Sequence, residues 1–394
     1  MSGEPTAEPA GLSEPRSPPL VLTPAWQRDY SRDPTLIPAK GRHPYYIAAP
    51  KFVAASAGVR ALYLLCHCLN LAGQNAFLLL DSERSPIDPE LLTPRLDRRI
   101  ADRHFAGGQT PIVLYPEIVT GNPAKAPVVV RYILNFPGLL GGDLDYPPQE
   151  IRFAYSELLA AATGAGDDVL FIPVVDTRTF HRRGENVRSG TCFYASKLKE
   201  VHGGQVFGLP DGSVEIHRFG PNRQTPQQLA ELFNRSELFY CFENSALAIE
   251  ATLCGCPVVF MFNEYFTAPI AIDELGLDGF ARGDAPDEIA RARATVDKAA
   301  RNYAATLPRF WRQLAHFISV TQERAAATAY QSRVALDWGI GGSMRMSWGL
   351  IGLEAGLSGF IRKRRKWRKT TAVEQAQANE RFPRPTSPPA DGKD

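Results

Sequence analysis

The stretch that decides the fold is residues 237–261, ELFYCFENSALAIEATLCGCPVVFM. Glu237 to Phe242 is rich in aromatic and apolar residues and reads as a short strand. Asn244 to Cys254 carries apolar residues at helical spacing. Gly255 stops that helix, and Pro257 leads into a second strand, Val258 to Met261. Strand, helix and strand in so few residues form a parallel unit joined by a crossover helix.

The same alternation extends outward in both directions. Strands are expected at Tyr45–Ala48, Ala76–Leu80, Ile112–Tyr115, Val128–Leu134, Val169–Ile172 and Thr191–Ala195. Helices are expected at Val59–Ala72, over 150–162, and from the capping box at Thr225-Pro226-Gln227-Gln228 to Asn234. From Asp284, read as an N-cap, Ala-rich helices run to about residue 337. Such alternation gives parallel sheets with helices on both faces. The chain is therefore expected to be α/β, with two Rossmann-like domains facing a cleft.

At 394 residues with 44 % hydrophobic content the chain can fill two cores. The expected division is a disordered tail at 1–40, a first domain at 41–173, a linker at 174–188 and a second domain at 189–337. An apolar and basic segment at 338–369 and a disordered tail at 370–394 follow. Both tails are Pro-rich and polar, too poor in apolar residues to offset their ordering entropy. No signal peptide or spanning helix is expected, which points to a cytoplasmic protein.

The six cysteines sit in apolar segments and read as reduced, buried thiols. Cys66-His67-Cys68 and Cys254-Gly255-Cys256 are one residue too short for the usual zinc half-site. The net charge of +2 conceals a cluster of seven cations within Arg362–Lys369. Without it the balance turns mildly acidic, which is not the broad basic face of a nucleic-acid binder.

Three segments resemble the GT-B glycosyltransferases, in particular the retaining group called family four. Pro50 to Leu80, with Ser56-Ala57-Gly58 in its loop, is similar to the opening strand, loop and helix of those enzymes. Ile172 to Phe180 resembles the passage between their domains, without its Asn-Gly pair. The most specific match is Glu250 to Val259, which resembles the E-A-x-x-x-G-x-P-V-V block of the donor domain. The resemblance implies a hexosyltransferase using a nucleotide-sugar donor and a saccharide or lipid-linked acceptor in surface polysaccharide synthesis. No metal and no cofactor are implied.

The helix beginning at Asn244 or Ser245 would aim free amides at a diphosphate. Family likeness assigns Glu250 to the ribose hydroxyls and places cations such as Lys197 and Lys199 on the diphosphate. Gly58 and its loop complete the donor set. A second family glutamate usually stands eight positions before the first. In the family that glutamate contacts the transferred sugar; here its position is Phe242, and either Glu243, seven before Glu250, serves as the catalytic acid or Asn244 and Ser245 take over. This leaves retention of configuration open. Glu117 and Asp143, just beyond strand ends, are candidate bases for an acceptor hydroxyl if the reaction inverts.

A nicotinamide dehydrogenase would need G-x-G-x-x-G after the first strand, where the loop offers only Gly58. A sugar-nucleotide epimerase or hydrolase of the same fold, or an inactive relative serving as a partner subunit, are the alternatives.

The segment 343–369 joins an interrupted apolar stretch to the cation cluster around Trp367, which suits the surface of an anionic membrane. Full-length protein is expected to float with anionic liposomes at low salt, and a truncation at Gly359 to stay behind. Equal recovery of the two would remove the membrane role.

Overall fold

A computed structural model describes residues 40–80, 91–184 and 187–329. The tails and the segment 343–369 lie outside the described residues, as does Glu185.

The first half builds one five-stranded sheet from β1 (Tyr45–Ala49), β2 (Ala76–Leu80), β3 (Ile112–Pro116), β4 (Val128–Ile133) and β5 (Ile151–Ala154). The second half builds another from β6 (Thr191–Tyr194), β7 (Val214–Glu215), β8 (Leu238–Cys241), β9 (Val258–Phe260) and β10 (Phe280–Ala281). All pairings between these strands are parallel. The orders are β2-β1-β3-β4-β5 and β7-β6-β8-β9-β10, the same topology twice. Helices cover the sheets, so strands such as β1 and β3 are buried along their whole length. The α/β architecture with two Rossmann-like sheets facing a cleft is the one expected.

Helix α1 (Ala57–Leu71) follows β1 and is capped by Ser56, whose hydroxyl accepts the Val59 N–H at 3.4 Å. Helix α2 (Arg98–Ala106) precedes β3, and α3 (Glu157–Thr163) follows β5. In the second half, α4 (Pro226–Arg235) starts with the capping box anticipated at Thr225. Helix α5 (Leu247–Leu253) joins β8 to β9. The short α6 (Ile272–Leu275) and α7 (Pro286–Thr295) precede the 29-residue α8 (Ala299–Ala327).

Several expectations need correction. The helix expected over 150–162 contains strand β5, because the buried side chains of Ile151, Phe153 and Ala154 pair it with β4. The strand expected at 169–172 is reduced to a single bridge between Val169 and Ala154. Helix α5 starts at Leu247, three residues later than Asn244, because Asn244 is held by the 268–270 loop. Ala285, not Asp284, occupies the N-cap of α7. Helix α2 was not anticipated.

Helix α8 joins the halves. Its beginning lies on α5 and α6, and its end crosses to the first sheet. The Tyr303 hydroxyl accepts the Val175 N–H at 2.8 Å, and Gln313 accepts the Phe171 N–H at 2.9 Å. Further on, Phe317 packs edge-on against Phe153, and Thr321 bonds the Tyr45 hydroxyl at 2.8 Å. Apolar burial along this helix fixes the two sheets against each other.

A second tie crosses nearer the cleft. Glu274 on α6 accepts the N–H of Glu157, the first residue of α3, at 2.8 Å. A carboxylate at a helix N-terminus meets orphan amides and the positive end of the helix dipole. Yet Glu274 is 5 % exposed and its Oε2 has no hydrogen-bond partner. Burial pushes its carboxyl up to about 7, against the pull of the Glu157 amide, and the Asp273 and Glu157 charges add to the rise. The folded protein thus favours the protonated acid, so its contribution to stability is full below pH 4.5 and lost as pH rises through about 7. Glu274→Gln is expected to make the fall of Tm across that window shallower than in the wild type. An unchanged slope in calorimetry would contradict this.

Candidate functional site

In open α/β sheets ligands bind at the strand carboxyl ends, where the strand order reverses. Those points lie between β1 and β3 in the first sheet and between β6 and β8 in the second. The loops after these strands converge on one cleft with a cavity of about 230 Å³. It is lined by Ser56 and Gly58 after β1, Glu117 after β3, Lys197 after β6, and Asn244 and Ser245 after β8. Residues from both halves therefore meet in it.

Glu117 lies at the foot of the first-half wall. It is 4 % exposed, and its Oε2 accepts the Leu134 N–H at 3.0 Å. Burial raises its carboxyl to about 7, opposed by that amide and by Arg131. A carboxyl so placed exchanges a proton near neutral pH, which suits a general base.

Its loop is held from three sides. Arg131, fully buried on β4, donates to the carbonyls of Val119 and Gly121 at 2.7 and 3.0 Å and pairs with Glu150 at 2.8 Å. Asp143 accepts the Gly121 N–H at 2.6 Å. Gly142 (φ 81°) presses so close that a Cβ there would fall 2.0 Å from the Glu117 carbonyl oxygen. Asp143 is thereby placed as an anchor of the loop and does not line the cavity. With Asp145 it forms an Asp-x-Asp triplet. Neither aspartate lines the cavity, and among the described residues no three His, Cys, Asp or Glu side chains gather as a metal set.

On the opposite wall, a π-helical turn at Lys197–Val201 follows β6. Lys197 pairs with Glu243 at 3.2 Å and donates to the Asn244 carbonyl at 2.9 Å. Glu243 also accepts the Lys197 N–H at 2.5 Å, so it faces the lysine and is not among the cavity's lining residues. Lys199 turns to Glu215 at 2.6 Å and stays outside the cavity. The Asn244 side chain donates to the Ala268 carbonyl and accepts from Ile270 N–H. Ser245 lines the cavity while accepting the Leu247 N–H at 3.3 Å. Ala57, Gly58 and Val59, the first turn of α1, also line the cavity, with the Val59 N–H already held by Ser56. A Cβ at Gly58 would stand 3.6 Å from Leu134 Cδ1, an ordinary contact.

Glu250 has a position the sequence did not suggest. It is fully buried on α5, and both carboxylate oxygens are paired. Arg60 of α1, from the first half, reaches Oε1 at 2.9 Å, and Arg218 approaches Oε2 at 3.4 Å. Arg218 also donates to the Ala55 carbonyl at 2.9 Å, crossing the cleft in the other direction. A ribose would have to share or displace these guanidiniums to reach Glu250. Arg60 and Arg218 were missed because no motif marks them and they meet Glu250 only across the fold.

The six cysteines are free and buried, as expected.

No protein-family model matches the chain, and no curated protein matches it. Among solved structures, it is similar to AviGT4, a glycosyltransferase involved in avilamycin A biosynthesis, at 16 % identity over 75 % of this chain and 100 % of that one, with a TM-score of 0.36. It is also similar to the spinosyn forosaminyltransferase SpnP, at 12 % identity over 72 % and 99 % of the two chains and a TM-score of 0.33. A third is the glycosyltransferase SnogD from Streptomyces nogalater, at 12 % identity over 72 % and 98 % and a TM-score of 0.30. These likenesses are distant.

Glu250→Ala would leave two guanidiniums in a buried site without their carboxylate. Breaking a buried pair in this way costs about 3–5 kcal/mol, and that loss is expected in chemical denaturation. A loss below about 1 kcal/mol together with weakened nucleotide binding would favour the ribose role instead.

Proposed function

We propose that the chain is a glycosyltransferase that moves a sugar from a nucleoside-diphosphate donor to an acceptor hydroxyl, with Glu117 as the base. The observation that carries this reading is a buried carboxyl, raised to about 7, in a cleft between two sheets that Lys197 and Arg218 of the second half also line. The sequence resemblance to GT-B enzymes supports the donor class, and the matching switch points of the two sheets support a ligand held between them.

In this reaction the acceptor oxygen forms a bond to the anomeric carbon as the bond from that carbon to the donor phosphate breaks. The acceptor proton passes to a Glu117 carboxylate oxygen. A single displacement of this kind inverts the anomeric centre. Charge develops on the departing diphosphate, and pre-oriented donors there lower the barrier. The first amides of α1 beside Gly58, together with Lys197, Ser245 and Arg218, are the groups we assign to it. Glu243 then holds Lys197 in place, and no divalent ion is needed to balance the charge.

Glu117→Gln keeps the shape and removes the base. Its turnover is expected to fall by about 10²–10⁴, the usual worth of a general base, with nucleotide affinity retained. In the wild type the base must be ionised, so kcat/KM is expected to rise with pH and level off above about 7. Unchanged turnover in Glu117→Gln, or a rate that falls through that pH, would overturn the assignment.

A further inference from the structure

The wall around Glu117 bears on what carries the acceptor hydroxyl. Pro116 and Ile118 flank Glu117 in the chain. Leu134, whose N–H holds the carboxylate, lines the same cavity with Leu62 and Leu140. Glu117 itself is only 4 % exposed, so little water reaches the base.

Lys197, Ser245 and Arg218 lie on the second-half side of the cavity, whereas several polar groups nearer the first half are already engaged by the protein. The Ser56 hydroxyl caps α1, and the Tyr155 hydroxyl donates to the Ile172 carbonyl at 3.2 Å. Asn244 is bonded at both ends of its amide. A glycan brings a hydroxyl on nearly every ring carbon. Against this wall those hydroxyls would lose water without gaining partners, a penalty that one base contact does not offset. An acceptor with one reacting hydroxyl on an apolar body avoids it, and apolar surface drives its binding.

We propose that the acceptor is an apolar alcohol or phenol rather than a glycan, with its hydroxyl on Glu117 and its body against Leu62, Ile118, Leu134 and Leu140. The reaction step rests on the transferase reading above, whereas the binding preference rests on the wall alone.

The test is calorimetric titration of the whole chain with 2-naphthol and, separately, with cellobiose, in the presence of saturating UDP. Saturable naphthol binding at least about tenfold tighter than cellobiose is expected. Leu134→Asn is expected to weaken naphthol by about tenfold or more, and Glu117→Gln to weaken it less. Cellobiose binding as tight as naphthol, no naphthol binding, or naphthol binding indifferent to Leu134→Asn would overturn the proposal. A parallel assay with nucleotide sugars separates the two readings. Naphthol bound at this wall but never glycosylated would sink the transferase reading alone, whereas glycosylation of cellobiose and not of naphthol would sink the apolar acceptor alone.

Discussion

The cleft depends on one buried charge arrangement that belongs to neither half alone. Glu250 lies on a helix of the second half, and the Arg60 guanidinium that meets it comes from the first. Arg218 adds a second cation and reaches back to the Ala55 carbonyl in the loop that opens α1. Removing two arginines and a carboxylate from water is costly, and only their mutual pairing offsets it. The arrangement therefore favours one placement of the halves, with the loops after β1, β3, β6 and β8 gathered around one cavity. Helix α8 and the contact from Glu274 to α3 hold the same placement.

Within that frame the first half contributes a dry carboxyl and the second contributes cations. Desolvation of Glu117 keeps its proton mobile near neutral pH, while Arg131, Asp143 and Gly142 fix the loop that carries it. Lys197 is oriented by Glu243, so a residue expected to contact substrate instead positions one that lines the cavity. The division of labour is electrostatic. In the proposed transfer, the base would work in the low-dielectric wall and the cations would neutralise charge where a diphosphate would leave.

Much of this was legible from the residues. The unit β8–α5–β9 could be read because Gly255 adopts φ 75° and ends the helix, and Pro257 follows it. The strand-end location of Glu117 was legible for the same reason, since turn residues bracket β3. Strand β5 was not, because its four residues are followed at once by an Ala- and Leu-rich helix, and one periodic pattern absorbed the other. The run at 169–172 is as apolar as a strand but pairs only through Val169. The partners of Glu250 are long-range, and nothing local marks Arg60 or Arg218. The crossing of α8 was hidden similarly, because its apolar face does not say which sheet it covers.

The proposed function requires that the two halves together transfer a sugar to a second molecule. The most direct measurement follows a panel of nucleotide sugars by mass spectrometry, with and without hydroxyl acceptors. Under the proposed function one donor is consumed only when an acceptor is present, with the sugar's mass appearing on that acceptor. Equal donor loss without any acceptor, or no loss of any donor under either condition, would contradict it.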